Sequence, residues 1–186
     1  MQHKRHAVNG FDPAVIRWQQ CPQVLYFQKR LLDAAHIWRF ISSLWIEEAV
    51  PGTITNLNGL SELTSVEGSL DITNNASLTN VDGLAALSEI GWWIDIINND
   101  ASTNVDGLAS VTSVDMGVNI VSNDALTNVD GLAGLNYVHQ YYSESFSRQA
   151  LWIEGNERLA DCCGLHPLFA WGTVEGVFDI DNNDFG

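Results

Sequence analysis

The chain has 186 residues and is strongly acidic, with 23 Asp and Glu against 8 Lys and Arg and a formal net charge of −15. Such a charge repels nucleic acids and anionic membrane surfaces and favours basic partners or divalent cations. The alternative is that the acidic residues only keep the domain soluble. The three cysteines (Cys21, Cys162 and Cys163) do not make a disulfide framework, and no Cys/His spacing resembles a zinc site. We therefore predict neither a metal site nor a cofactor.

The first fifty residues differ from the rest, since residues 1–50 carry a net charge of +2 and residues 51–186 one of −17. Between Leu31 and Val50, apolar residues recur every three or four positions and Pro51 follows, which predicts a helix over about residues 31–49. This stretch is too short and too charged to span a membrane. Residues 1–10 also lack the apolar region of a signal peptide. Two interpretations of residues 1–50 remain: an extension that caps the repeats, or a leader from a misassigned start.

From residue 51 onward one phrase, Thr-Asn-Val-Asp-Gly-Leu or a close variant, returns every 24 residues, beginning at Thr55, Thr79, Thr103 and Thr127. A fixed period of this size is typical of a solenoid, in which each repeat stacks on the next. Leu70-Asp71-Ile72 and its later copies alternate apolar and polar residues, which predicts short strands, and the glycines predict tight turns. We expect an all-β domain of about five 24-residue coils over residues 51–186.

A column of asparagines keeps the same register. Inward asparagines in such a fold can bond the backbone of their own coil and of the neighbouring coils, and so satisfy amides that would otherwise be orphaned. The sequence predicts a structural ladder formed by Asn75, Asn99, Asn123, Asn156 and Asn183.

The pattern Asn-x-x-Leu-Thr-Asn-Val-Asp-Gly-Leu, followed by Leu/Val-Thr-Ser-Val and Leu-x-Ile-x-x-Asn, resembles the leucine-rich β-helix repeat of receptor L-domain-like proteins. It is also similar to bacterial surface leucine-rich-repeat proteins. The resemblance covers about residues 52–186. It implies a right-handed parallel β-helix, an extracellular or cell-surface location, and a role in binding or adhesion. The chain lacks the cysteine-rich modules that flank the receptor members.

The largest break in the repeat lies between Val138 and Ala150, where residues 139–149 fill a place that other coils fill with two residues. Insertions in solenoids map to loops on one face and often carry the binding site. Aromatic and arginine side chains are enriched at interfaces. The candidate ligand-binding residues of this insertion are Tyr141, Tyr142, Phe146 and Arg148; a loop folded back over the core is the alternative.

A second group of candidates lies on the strand face. Trp93, Asp95, Asn119 and Trp152 should point outward from successive coils. Stacked strands are about 4.8 Å apart, so these four side chains would form one patch. An indole beside carboxylates suits a sugar or a basic peptide, while an ordinary polar sheet face is the alternative.

We therefore expect a non-enzymatic module that binds a protein or carbohydrate ligand. One alternative is a polysaccharide-acting enzyme, in which Asp71 and Asp95 on adjacent coils would supply the paired carboxylates. Another is ice binding by the column of Thr55, Thr79, Thr103 and Thr127. The last residues, 179–186, begin a further coil, so we also expect a fragment of a longer protein, or end-to-end association through this uncapped coil.

Overall fold

A computed structural model describes residues 15–16, 43–48, 52–139 and 149–184 of the chain. Within these residues most of the regular structure is β-strand. The strands are β1 (Val15–Ile16), β2 (Ser43–Glu47), β3 (Ser65–Val66), β4 (Leu70–Thr73), β5 (Glu89–Ile90), β6 (Trp93–Ile97), β7 (Ser113–Val114), β8 (Gly117–Val121), β9 (Tyr137–His139), β10 (Leu151–Glu154), β11 (Thr173–Glu175) and β12 (Phe178–Asp181).

The strands form two parallel sheets. The large sheet has the order β2-β4-β6-β8-β10-β12, with the two-residue β1 at its β2 edge, and the small sheet has the order β3-β5-β7-β9-β11. Neighbouring strands come from successive repeats, so that Ile72 is the partner of Ile96, which is the partner of Ile120. The expectation of a mostly β domain is therefore confirmed at the level of two parallel sheets.

The apolar columns of the sequence form one core. In β4, Leu70 and Ile72 are buried while Asp71 and Thr73 are only half-buried, as a period of two requires. Val66 and Val114 of the small sheet belong to the same buried cluster as these residues. Each repeat thus contributes a strand to each sheet and aliphatic side chains to a shared interior.

The Asp-Gly-Leu phrase, with Asn or Cys in place of Asp in the first and last copies, forms a 3₁₀ turn between the two sheets in each repeat. The turns cover Asn58–Leu60, Asp82–Leu84, Asp106–Leu108, Asp130–Leu132 and Cys163–Leu165. A Cβ atom on Gly107 would lie 1.9 Å from the carbonyl oxygen of Val81 in the preceding repeat, and the equivalent distance from Gly83 to Leu57 is also 1.9 Å. Glycine is therefore required at these positions for close contact between repeats.

The asparagine column forms a continuous hydrogen-bonded ladder. The backbone N–H of Asn75 donates to Oδ1 of Asn99 at 3.2 Å, and that of Asn99 donates to Oδ1 of Asn123 at 3.0 Å. The same pattern continues through Asn156 to Asn183. The side-chain amide of Asn99 also donates to the carbonyl oxygen of Ile72 in the preceding repeat, at 2.8 Å. The ladder satisfies buried backbone groups at the turn that follows each strand of the large sheet.

Residues 43–47 form a strand, whereas the sequence predicts a helix over about residues 31–49. They form β2, which pairs in parallel with β4 so that Leu44 is the partner of Leu70 and Ile46 that of Ile72. Leu44 and Ile46 are two residues apart, and both are buried in the core. A strand places residues two apart on the same side, whereas a helix does not. The parallel pairing therefore begins before residue 51. Residues 31–42 and 49 lie outside the described residues.

Helix α1 (His166–Trp171) follows the last 3₁₀ turn, with Pro167 in its first turn and Leu168 buried against the core. It leads directly to β11 of the small sheet. In the part of the chain that the structure describes, no helix is both long enough and apolar enough to cross a membrane.

Candidate functional site

The outward face of the large sheet carries one polar and aromatic column. Its register positions, one per strand from β2 to β12, are Trp45, Asp71, Asp95, Asn119, Trp152 and Asp179. Three of the predicted site residues, Asp95, Asn119 and Trp152, are thus direct neighbours on β6, β8 and β10. Trp93 lies on the same side of β6, two positions before Asp95.

The centre of this column is covered, which corrects the expectation of an exposed patch. Asp95 is 6 % exposed and Asn119 only 1 % exposed. The side-chain amide of Asn119 donates a hydrogen bond to Oδ1 of Asp95. Alternation along the strands assigns these residues to the outward side, but it does not show whether other residues cover that side. Both sides of β6 and β8 are buried here, since the residues on the opposite side are also buried: Ile94 and Ile96 in β6, and Val118 and Ile120 in β8.

The two tryptophans remain partly accessible on either side of this buried pair. Trp93 lies opposite Gly117, where a Cβ atom would come 2.5 Å from Cζ3 of the indole ring. The absence of a side chain at Gly117 therefore makes room for the ring. Trp152 is half-buried, and its Nε1 donates to Oε2 of Glu154 at 2.6 Å. Both indoles are held in place while part of their surface faces solvent.

The predicted insertion residues Tyr141, Tyr142, Phe146 and Arg148 lie outside the described residues. The insertion connects the end of β9 in the small sheet with the start of β10 in the large sheet. At its far end, Nε2 of Gln149 donates to Oδ2 of Asp179 at 3.3 Å.

The small sheet carries a second polar surface that the sequence analysis does not single out. Side chains on either side of the buried valines face outward, and at one end Tyr137, His139 and Glu175 form a cluster. Nε2 of His139 lies 3.5 Å from Oε2 of Glu175, and the hydroxyl of Tyr137 donates to the same oxygen at 3.3 Å. The rings of Tyr137 and His139 stack with centroids 6.3 Å apart. Partial burial, followed by the charges of Glu175 and Asp115, raises the pKa of Tyr137.

A groove of about 560 Å³ lies beside this cluster on the same sheet, across β3, β5 and β7. We call it the small-sheet groove. Its polar lining consists of Ser65, Glu67, Ser88, Glu89, Thr112, Ser113 and Asp115. The alternation around Val66 and Val114 is the signal in the sequence that could have found it, because the residues on either side of these two valines line the groove: Ser65, Glu67, Ser113 and Asp115.

The threonine column contributes to the contacts between repeats. The hydroxyl of Thr79 donates to the carbonyl oxygen of Thr55 at 3.2 Å, and that of Thr127 donates to the carbonyl oxygen of Thr103 at 3.2 Å. The hydroxyl donors are thus used within the protein.

Carboxylates also recur in the 3₁₀ turns. The pKa of Asp106 is raised by burial first and then by the charges of Asp82 and Asp130 in the neighbouring repeats. Among the described residues, no three or more His, Cys, Asp and Glu side chains are grouped so that they could hold a metal ion.

Comparisons with protein-family models, with curated proteins and with solved structures found no match to this chain.

Proposed function

We propose that the protein is a non-enzymatic binding or adhesion module, built as a right-handed parallel β-helix of the receptor L-domain-like, leucine-rich-repeat type. A module of this kind acts at the cell surface or outside the cell. The 24-residue period and the parallel pairing of successive repeats support this architecture. Stacked repeats present long, rigid columns of side chains, a geometry suited to recognition of an extended partner.

The observation that carries the proposal is the pair of partly exposed tryptophans, Trp93 and Trp152, on one face of the large sheet. Large aromatic side chains that are fixed in place bind ligands at low entropic cost. Gly117 makes room for Trp93, and Glu154 fixes the ring of Trp152. Tyr141, Tyr142, Phe146 and Arg148 of the insertion, which leads into β10, would add to the same binding surface. The ligand class is a protein or a carbohydrate.

In this proposal the buried pair of Asp95 and Asn119 does not contact the ligand. Neither side chain is exposed enough to contact a ligand on the surface directly. Their hydrogen bond links β6 to β8, the strands that carry Trp93 and its partner Gly117. We infer that the pair positions Trp93.

Screening of carbohydrate and protein arrays with the wild-type chain and with Trp93→Ala, Trp152→Ala and Tyr142→Ala tests the proposal. We expect a ligand whose signal falls at least about tenfold in the tryptophan variants, the size of effect typical of aromatic anchors. Circular dichroism should show that the variants keep the strand content of the wild type. A result in which no array ligand binds, or in which the substitutions only lower stability, would contradict the proposal.

The burial of Asp95 counts against the enzyme alternative, because a polysaccharide would have to reach a carboxyl group that is 6 % exposed. Turnover of an acidic polysaccharide that disappears in Asp95→Asn would favour it nevertheless. The hydrogen bonds of the threonine column count against ice binding, since the hydroxyls of Thr79, Thr103 and Thr127 already donate to the neighbouring repeat. Measurement of thermal hysteresis tests that alternative directly.

A further inference from the structure

The last described repeat exposes side chains of a kind that the other repeats bury. One inward column of the large sheet runs through the register partners Leu70, Ile94, Val118, Leu151 and Phe178. The first four are 0 % exposed, whereas Phe178 is 55 % exposed. Ile180, the next inward residue of β12, is half-buried, although its partner Ile153 is fully buried. The apolar interior is therefore open at the β12 end.

Aromatic side chains of α1 enlarge this apolar surface. The ring of Phe169 lies against that of Phe178, with centroids 5.2 Å apart, and Phe169 is 47 % exposed. Trp171, the last residue of α1, is 84 % exposed. We call Phe169, Trp171, Phe178 and Ile180 the terminal apolar face. Groups of large exposed apolar side chains mark surfaces at which proteins associate.

Both sheets also end at this repeat. Among the described residues, β12 is the edge strand of the large sheet and β11 that of the small sheet. An edge strand presents backbone N–H and C=O groups that can pair with a strand of another chain. The terminal apolar face thus lies beside two strand edges at which hydrogen bonding can continue.

The opposite end of the large sheet has no matching face in the part of the chain that the structure describes. Leu44 and Ile46 of β2 continue the two inward columns there, and both are buried. Head-to-tail stacking of two copies would therefore place the terminal apolar face against an end that is already covered. The matching apolar surface is the same face of a second copy, and two identical faces meet about a two-fold axis.

The exposed area is of the size that a dimer needs. An aromatic side chain offers about 150–250 Å², so the exposed fractions of Phe169, Trp171 and Phe178 amount to roughly 400 Å² per copy and about 800 Å² for a pair. Specific interfaces bury about 1,200–2,000 Å² in total. Three rings per copy therefore supply about two thirds of the lower bound, before Ile180 and the strand edges are counted.

We propose that two copies of this chain associate through the terminal apolar face and form a closed dimer with two-fold symmetry. The rings of Phe169, Trp171 and Phe178 become buried against those of the second copy. The driving force is the removal of apolar surface from water. This surface is separate from the one that contains Trp93 and Trp152, and the proposal does not depend on the nature of any ligand.

Sedimentation equilibrium of the whole chain, from about 1 to 100 µM, tests the proposal. A reductant keeps the three cysteines from cross-linking copies. We expect the mass to rise from 20.5 kDa to twice that value and no further, because an isologous contact closes at two copies. A mass of 20.5 kDa at every concentration would overturn the proposal. A mass that keeps rising beyond the dimer would also overturn it, since only a head-to-tail contact grows without limit.

Substitutions locate the contact. Phe178→Asp should weaken the dimer about tenfold or more, because it places a carboxylate in the apolar contact of both copies. Trp171→Asp should weaken it about fivefold, and since Trp171 is largely exposed this change leaves the core intact. Trp92→Asp is the matched control: Trp92 is 50 % exposed but lies in the corner before β6, so the dimer should change less than about twofold. An unchanged dimer in Trp171→Asp, or an equal loss in the control, would show that the face is wrongly assigned.

The dependence on salt distinguishes a second copy from an oppositely charged partner surface. Each copy carries a net charge of −15, so two copies repel each other until salt screens their charges. We expect the dimer to be about threefold tighter or more in about 0.5 M than in about 0.05 M sodium chloride. A dimer that weakens in salt would indicate pairing of the acidic repeats with the basic residues 1–50 and would contradict the proposal. Trp93→Ala should dimerise normally, so this proposal and the proposed function can fail separately.

Discussion

Oδ1 of Asn123 accepts hydrogen bonds from both the backbone N–H and the side-chain amide of Asn99, at 3.0 and 3.2 Å. Asn123 in turn makes the same pair of contacts with Asn156. The side-chain amide of each asparagine therefore makes hydrogen bonds within its own turn and to the turn of the neighbouring repeat. Loss of one member leaves donors unpaired on one side and an acceptor unpaired on the other.

Replacement of Asn99 by alanine should therefore be strongly destabilising. We expect the free energy of unfolding in urea to fall by about 3 kcal/mol or more, since buried polar groups lose their partners. Asn136→Ala is a matched control at an exposed position whose backbone makes the contact to the neighbouring repeat. It should cost less than about 0.5 kcal/mol. Similar losses in the two variants would refute a special role for the ladder.

Gly107→Ala should prevent correct stacking, because its Cβ would lie 1.9 Å from the carbonyl oxygen of Val81. We expect a loss of more than about 3 kcal/mol or failure to fold, since the backbone fixes the positions of both the Cβ atom and the carbonyl oxygen and neither can turn aside. Gly155→Ala is the comparison. Its Cβ would have room, at 3.6 Å from the nearest atom, and only its positive φ of 65° is costly. That cost is about 1–2 kcal/mol. Thermal unfolding followed by circular dichroism distinguishes the two variants.

Leu44→Ala should destabilise the domain by about 2–5 kcal/mol, as for other fully buried leucines. The loss should be similar to that of Leu70→Ala, the partner position on β4. A much smaller effect at Leu44 would show that β2 is not an integral strand of the large sheet. Chemical denaturation of the two variants side by side provides the measurement.

Asp106→Asn should stabilise the protein slightly at neutral pH. Burial and the charges of Asp82 and Asp130 raise the pKa of Asp106 above its usual value in the folded state, so its ionised form opposes folding. The penalty is fully present above the folded pKa and disappears as the pH falls below the unfolded pKa. Because Asp106 is largely exposed, we expect a gain of roughly 0.5 kcal/mol or less. Urea midpoints at pH 7 and pH 3 should show the gain only at pH 7; a gain that persists at pH 3 would contradict a charge effect.

The two adjacent cysteines should react slowly with thiol reagents. Burial, followed by the charge of Asp161, raises the pKa of Cys162 to about 11. A hydrogen bond to Asp161 and the charge of that residue raise the pKa of Cys163. At pH 8 the thiolate fraction of Cys162 is then on the order of one part in a thousand. In a Cys21→Ala background, labelling with a chromogenic disulfide should be slower than that of free cysteine, and faster in Cys162→Ala than in Cys163→Ala because Cys163 is exposed. Labelling of Cys162 as fast as free cysteine would contradict its burial.

The sequence predicts the parts of the fold that depend on the repeat itself. Asn75, Asn99 and Asn123 recur every 24 residues, and so do the glycines of the turns. The period does not reach β2, because Leu44 lies 26 residues before its partner Leu70. A different signal was available there: Leu44-Trp45-Ile46-Glu47 is identical to Leu151-Trp152-Ile153-Glu154, and both form strands of the large sheet.

The candidate site is less predictable for a physical reason. Alternation assigns Asp95 and Asn119 to the outward side of β6 and β8, but a local pattern contains no information about covering residues that are distant in sequence. The small-sheet groove is lined by polar residues from three separate repeats. These polar residues are far apart in the sequence, and only the stacking of the repeats brings them together.

The close contact at Gly83, Gly107 and Gly131 also bears on how this chain can change length. Each of these glycines meets the preceding repeat through the same backbone atoms, with 24 residues between one contact and the next. Removal of residues 82–105 would join Val81 to Asp106 and restore the phrase Thr-Asn-Val-Asp-Gly-Leu at the junction. Deletions or duplications of one whole unit therefore preserve the register of these glycine contacts, whereas a change of any other size displaces it. Such a gene can lengthen or shorten its product in discrete steps without a new hydrophobic core.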